Sequence, residues 1–543
     1  MAATHVLVEG SERVPLPGAR ALGPTNPHAV VEVLLKLRRQ HPLPALTARP
    51  SQPMTRAALG ARYGATAADI SLVTSTFTAF GLSVVATDAA TRTVRLAGPV
   101  SALERAFDVK LFNYAHEGGP YRGRVGSVYV PMAVKDIVEG VFGLDNRRAV
   151  GRRRQPVRNV ATAKAAAAHA IPAAWYKPAD LATHYQFPHG DGGGQAIGIL
   201  EFGGGYFPTD LKSFCSICGI AAVPSVKTVS VDGTSTSARD GAEGEVMLDI
   251  EVVTGVCPKA SIVVYFAQFT TKGWIAALDA AVHDQQNDPG VVSVSWGYAE
   301  KNNVWTGQAM KQVNEALLEA AHVGMTVCIA AGDDGSSDAI TDGHAYVNFP
   351  SSSPYALSVG GTTIPVKGGK QPDIVWKEGD GLRSDNGGST GGGESAVFPR
   401  PSWQAAIDIP SVNPHAIAGR IVPDVAANAD WDASPYLLVV DGQTEGNGGT
   451  SAATPLIGAL LTLINAQKVA NGAARVGFVT PQLYQPAAGA AAGSATVGSL
   501  CCTDVTSGNN ATGSAGGYSA TTGFDAASGW GTPIGTKWAA LLP

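Results

Sequence analysis

Charge is scarce in this chain: only 15% of its 543 residues are Asp, Glu, Lys or Arg, and the formal net charge is -5. Such a weakly acidic chain lacks the basic footprint that a phosphate backbone demands, which argues against nucleic-acid binding. Cysteine is rare as well. Six cysteines cannot staple a fold of this length. Cys215 and Cys218 form a CxxC in SFCSICG with no second pair to match, so an ordinary structural role is preferred over a metal or redox bridge. The opening MAATHVLVEGSERVPLPGAR shows no basic-then-apolar leader, and no stretch carries the apolar length of a bilayer span. The chain reads as soluble, with its localisation open.

What the chain has in quantity is apolar residues, 45%, and glycine, 65 residues, a composition suited to compact, loop-rich globular domains. Its length calls for at least two folding units. Residues 1–145 read as a small α/β domain: a strand at HAVVEVLLKLR, helical stretches from Met54 to Phe80, alternation in LSVVATDAATRTVRLAG, and a short helix at VSALERAF with Ser101 as its cap. Residues 146–169 change character. Arg147, Arg148, Arg152, Arg153, Arg154 and Arg158 lead into an alanine-rich tract, which reads as an exposed cleavable linker rather than a nucleic-acid arm, since no aromatics are interleaved. From 170 to 543, short apolar strands (AIGILE, SIVVYFA, VVSVS, TVCIAA, YALSVGG) alternate with helical segments such as WIAALDAAVHDQ and MKQVNEALLEAAHVG. That alternation predicts a parallel sheet with helices on both faces and active residues at its strand ends.

The sharpest local signal is Gly448-Gly449-Thr450-Ser451-Ala452-Ala453-Thr454-Pro455, followed by the apolar run LIGALLTLINAQ. Pro455 suits a first helical turn, which predicts Ser451 just before a helix N-terminus, either as a nucleophile favoured by the helix dipole or as a plain N-cap. A serine needs a base. None of the eleven histidines sits in the GHGT context that subtilisin-type enzymes use. In GEVMLDIEVV, helical spacing puts Glu245 and Asp249 on one face, where they form either a solvated acidic patch or, in a cleft, a proton-sharing pair. Asp333 follows the strand TVCI in AAGDDGSS, at a position that suits a turn or an active-site loop.

Together with THYQFP, ILEFGGGY, SVSWG, FPSSSPY and a C-terminal aspartate-bearing loop, these segments resemble the sedolisins, or serine-carboxyl peptidases, and among them the kumamolisin-like members, over nearly the whole chain. The resemblance implies an α/β subtilisin-like parallel-sheet peptidase domain behind a ferredoxin-like inhibitory pro-domain. It implies Ser451 as nucleophile, Glu245 as general base and acid, Asp249 as the group orienting Glu245, and protonated Asp333 as oxyanion donor. Glu201 and Trp296 match family positions in the supporting network. Release of the pro-domain is expected near His169 and Ala170, and the product is an endopeptidase of polypeptide substrates, taken as a monomer.

Such chemistry needs an ionised base and a protonated Asp333 at once, so activity is expected only in acid. The Gly/Ser/Thr/Asn-rich stretch at about 501–531 offers a hard oxygen site suited to calcium. The resemblance implies one structural Ca2+ held by the Asp504 and Asp525 carboxylates and the carbonyls of Val505, Thr521 and Gly523, with Thr521 standing where relatives often have glycine. Asn348, before Phe349-Pro350, is neutral where some relatives carry an acid, which speaks against a strong preference for basic side chains. A catalytically dead binding protein is disfavoured because all four reacting residues are present. A neutral serine hydrolase is disfavoured because it would need a catalytic histidine. A secreted or extracytoplasmic setting is suggested by the function alone.

Overall fold

The computed structural model describes residues 4–148, 158–159, 172–301, 303–369, 371–487 and 495–543. The predicted linker arginines Arg152, Arg153 and Arg154, and the predicted cleavage point at His169 and Ala170, lie outside these residues.

In the N-terminal domain, strand β1 (Val30–Leu37) leads to helices α1 (Arg56–Tyr63) and α2 (Ala67–Thr78), whose first turns are capped by the Thr55 and Thr66 hydroxyls. A hairpin of β2 (Ser83–Asp88) and β3 (Thr93–Pro99) follows, then α3 (Val100–Phe107) and β4 (Val138–Phe142). The sheet order is β2-β3-β1-β4 with every pair antiparallel, the ferredoxin-like arrangement expected. Alternation does the sorting. Val33, Leu35, Val94 and Leu96 face Val73, Phe77, Leu103 and Phe107 of the helices. The expectation that Ser101 caps α3 fails: Pro99 occupies the cap, and Ser101 lies inside the first turn.

The larger domain runs β5 (Ala196–Glu201), α4 (Pro208–Cys218), β6 (Val226–Ser230), α5 (Glu243–Val256), β7 (Ser261–Phe266), α6 (Thr271–Val282), β8 (Val291–Val294), α7 (Gly307–His322), β9 (Thr326–Ala330) and β10 (Leu357–Thr363). After these come β11 (Ile374–Val375), β12 (Lys377–Glu378), β13 (Gly388–Ser389), β14 (Val425–Asn428), β15 (Tyr436–Val440), β16 (Gln443–Asn447) and α8 (Thr450–Ala470). The eight-stranded sheet has the order β6-β7-β5-β8-β9-β10, with β14 parallel and β11 antiparallel to β10. Period-two patterning splits its side chains. Ile197, Ile199, Ile262 and Val264 pack under α5 and α8, while Leu200, Val263, Val292 and Val294 pack under α6 and α7.

Glu201 ends β5, Ser295 and Trp296 follow β8, and Asp333 comes three residues after β9, so the parallel sheet delivers them all to one edge. Among the described residues no helix is long and apolar enough to cross a membrane.

The N-terminal domain turns the uncovered face of its sheet onto α6 and α7. Leu34 and Phe142 join the apolar cluster there, and buried Lys36 bonds Asp279 at 2.8 Å. Arg39 and Arg92 reach Glu319, which His283 also contacts. Further along the chain, Arg158 and Asn159 pair antiparallel with Gly446 and Glu445 of β16, so linker backbone adds a strand beside the segment that leads to Ser451.

Burial raises Asp279 against the pull of Lys36, so removing the ammonium leaves an uncompensated buried acid. Lys36→Met is expected to destabilise the docked N-terminal domain by about 3–5 kcal/mol, read as an earlier urea transition of the full-length chain at pH 7. An unchanged midpoint would count against the pair.

Candidate active site

Helix α8 is buried from Thr450 through Asn465, and its start is set by backbone geometry. Gly449, the N-cap residue, has a φ of 88, a conformation other residues rarely adopt. It turns the chain so that Ser451 lies in the first helical turn, not ahead of it, and Pro455 lies inside the helix. Both placements differ from the sequence expectation, and the second has a consequence. Proline has no N–H for the carbonyl four residues back, that of Ser451. The Ser295 hydroxyl lies 3.1 Å from that carbonyl instead, and 2.8 Å from each Asp249 oxygen. Ser451 Oγ in turn lies 3.4 Å from the Ser295 carbonyl. Ser295 therefore ties the serine to the acid, a role unassigned from the sequence although Ser295 stands next to Trp296 in SVSWG.

Glu245 and Asp249 are successive turns of α5, which packs directly against α8. Asp249 is fully buried and Glu245 half-buried, so the pair runs from the interior toward the surface and is not a solvated patch. Behind them the Trp296 indole donates to Glu201 Oε2 at 3.0 Å, both side chains buried.

Asp333 is reached through Gly332, whose φ of 108 bends the chain away from β9. Thr450 donates to Asp333 Oδ1 twice, from its N–H at 2.8 Å and its hydroxyl at 2.7 Å. The residue beside Ser451 thus fixes this carboxyl group. Arg383 approaches Asp333 Oδ2 at 3.8 Å but is held more closely by Asp334, with Nε to Oδ2 at 2.8 Å. Thr450 and Arg383 are further site residues; only their position in space identifies them.

Beside these groups opens a pocket of about 590 Å³ lined by Trp296, Asp333, Asp338, Asn348 and Arg383, with Leu16, Pro17 and Glu117 of the N-terminal domain across its mouth. Asn348 Nδ2 donates to Asp338 at 3.1 Å. Burial, then the nearby Asp334 charge, push Asp338 up to about 7, so it is neutral in acid. Among the described residues, no histidine lines the pocket. His184, His283 and His322 pair with Asp373, Glu319 and the Pro44 carbonyl.

In the C-terminal loop, Asp504 Oδ2 accepts from Gly523 N at 2.9 Å and Asp525 Oδ2 from Thr521 N at 3.0 Å, which gathers the expected cation ligands, with Val505 buried alongside. Burial raises Asp525 despite its backbone donors, and among the described residues neither aspartate has a cationic side-chain partner. A hard cation fits such a set. Cys215 is buried and Cys218 half-buried, and no group of three or more His, Cys, Asp or Glu forms a metal cluster among the described residues.

The Pro-kumamolisin activation domain family matches residues 20–147, and the Subtilase family matches residues 219–519. Kumamolisin from Bacillus sp. is 40% identical over 99% of this chain and 96% of its own length. Sedolisin from Pseudomonas sp. is 30% identical over 80% of this chain and 72% of its own. The structure of Pseudomonas sedolisin complexed with pseudo-iodotyrostatin aligns with a TM-score of 0.57 at 28% identity, covering 67% of this chain and 97% of that one.

Removing the Ser295 hydroxyl leaves buried Asp249 short of a donor. Ser295→Ala is expected to cost about 1–3 kcal/mol in denaturant unfolding at neutral pH, and a stability equal to the parent's would show that the bridge carries no weight.

Proposed function

Because the chain belongs to the sedolisin family of serine-carboxyl peptidases and is built as a zymogen, we propose that Ser451, Glu245, Asp249 and Asp333 carry its peptide-bond hydrolysis. Ser451 Oγ attacks the scissile carbonyl carbon while Glu245 takes its proton, and Asp249 orients Glu245. The tetrahedral oxyanion accepts a hydrogen bond from protonated Asp333. Glu245 then returns the proton to the leaving amine, and water releases the acyl group by the same steps in reverse. The observation that carries this reading is the double donation of Thr450 to Asp333 Oδ1. With both Thr450 donors on Oδ1, the acid form would carry its proton on Oδ2. Glu201 and Trp296 hold the backing of the acid pair.

The substrates are polypeptides cut internally, in acid and outside the cytoplasm. With Asn348 neutral and Asp338 protonated below about 7, neither supplies a negative charge for basic side chains in acid. The N-terminal domain acts as an intramolecular inhibitor, supported by Leu16, Pro17 and Glu117 at the pocket mouth and by the linker strand on β16. Cleavage near His169 and Ala170 frees it.

Acid release follows from Glu319. Burial would raise this carboxyl, but His283, Arg39 and Arg92 outweigh burial and hold it well below its ordinary value of 4.5. The two arginines leave with the pro-domain. Their contribution to docking is present above the ordinary value and is lost as pH falls toward the depressed one. Asp279, whose value is raised, has the opposite sign and does not drive release. Arg147 pairs with Asp145 of its own domain at 2.7 Å and donates to the Asn303 carbonyl of the larger domain at 2.9 Å. One calcium ion is assigned to Asp504 and Asp525 with the carbonyls of Val505, Thr521 and Gly523, where it would cross-link the C-terminal loop.

Acidifying the purified precursor tests the catalytic assignment. The parent is expected to process itself with a bell-shaped rate profile centred between roughly pH 3 and 5. Ser451→Ala and Glu245→Ala should lose at least about 10⁴-fold in kcat, and Asp333→Asn about 10²-fold or more. Full activity at pH 8 would sink the reading. In the Ser451→Ala precursor, Arg39→Gln should shift pro-domain dissociation to higher pH; dissociation at the parent's pH would exclude Glu319 as the trigger. Asp525→Asn, or chelation, should lower the Tm by several degrees, and a Tm indifferent to calcium would remove the ion from the account.

A further inference from the structure

A second acid pair stands behind the reacting residues and takes no part in the chemistry above. Glu378, on β12, and Asp430, two residues beyond β14, are hydrogen-bonded through their carboxyl groups. Neutral donors also reach these carboxyls. The Trp376 indole donates to Glu378 Oε1 at 3.0 Å, and the Thr363 hydroxyl to Asp430 Oδ2 at 2.7 Å. The N–H groups of Asp432 and Ala433 donate to Asp430 Oδ1 at 2.7 and 2.8 Å. Among the described residues neither acid makes an ion pair with Lys or Arg. Two carboxyls in contact without a cation share a proton, since both cannot ionise cheaply.

The place of this pair gives it a use. β12 pairs with β13, and Ser389 of β13 donates its N–H to the Asp333 carbonyl at 3.1 Å. On the other side, the Ala429 carbonyl accepts from Gly449 N at 2.6 Å. A Cβ on Gly448 would lie 2.4 Å from that same carbonyl oxygen, so the nucleophile loop rests directly on the 429–431 segment. Trp376 and Trp431 meet edge to face at 4.7 Å between the two.

We propose that Glu378 and Asp430 are positioning residues that form a proton-sharing clasp between the loop bearing Asp333 and the loop bearing Ser451. The clasp sets the distance between oxyanion donor and nucleophile without touching substrate. Burial, then the bond to Asp430, push Glu378 up to about 8, and Asp432 is the further charged group that faces it. Lys377 points elsewhere, to the Ala511 carbonyl at 2.6 Å. A raised carboxyl favours the folded state below its ordinary value of 4.5, and that advantage is lost as pH rises to about 8. The clasp is therefore closed in acid and opens when the shared proton leaves.

The proposal rests on Ser451 and Asp333 as reacting groups, so the test has one arm that needs them and one that does not. In the acid-activated enzyme at pH 4, Glu378→Gln, whose amide can still donate to Asp430, should keep kcat within about two-fold. Glu378→Ala should lose kcat about ten-fold or more with KM nearly unchanged, as expected for misplaced groups. In the Ser451→Ala precursor, the fall in Tm between pH 5 and pH 8.5 should be smaller for Glu378→Gln than for its parent by about 3 °C, because the amide does not titrate. Equal kcat for Glu378→Ala and the parent, equal loss in the Gln and Ala variants, or parallel Tm curves would each overturn the clasp. If Glu378→Ala does not fold, the pH dependence of the Gln variant decides.

Discussion

A carboxyl group removed from water must share its charge or its proton with something, and this protein buries many of them. Asp249 takes the Ser295 hydroxyl, Asp333 takes both donors of Thr450, and Glu201 takes the Trp296 indole. These partners are neutral. A neutral partner stabilises a buried acid without committing it to the ionised form, whereas a lysine or arginine would lock the negative charge in place. Where a cation does come near, at Arg383, the adjacent Asp334 engages it first. The site is thus built of acids with neutral partners, in a cleft that no histidine lines among the described residues.

The parallel sheet makes that construction possible at modest cost. Its strands end together, so residues far apart in the chain, Glu201, Ser295, Trp296 and Asp333, arrive at one edge without long supporting loops. Helix α8 then brings Ser451 in through a tight glycine turn. A long, all-round buried helix cannot shift without disturbing both the sheet and α5, so Ser451 and the Glu245–Asp249 pair are held by the same packing.

The docked N-terminal domain uses the other kind of buried acid. At its interface Asp279 and Glu319 do face cations, Lys36, Arg39 and Arg92, contributed by the pro-domain. Burial keeps Asp279 raised, so of the two only Glu319, held below its ordinary value, loses its contribution to docking as pH falls.

The alternation of apolar strands and amphipathic helices, the break in composition after Asp145 and the motif around Ser451 sufficed to reveal the two-domain α/β architecture, because period and punctuation are local properties. Helix caps were less legible: Ser101 and Pro455 both have first-turn chemistry, yet tertiary contacts set the helix starts at Val100 and Thr450. Glu245, Asp249 and Asp333 were visible as acids, but their spacing alone pointed to a solvated face and a simple turn. Ser295, Thr450, Arg383 and the Glu378–Asp430 pair carried no sequence signal of their own, since a hydroxyl or carboxyl acquires its role from what lies across a gap that the chain closes only on folding. The sequence by itself determined which groups are available to react, a serine with acids and no suitably placed histidine. The tertiary structure alone decided which oxygens accept, which donate and which acids share a proton, because hydrogen bonding and desolvation depend on distances between segments 46 to 156 residues apart in the chain.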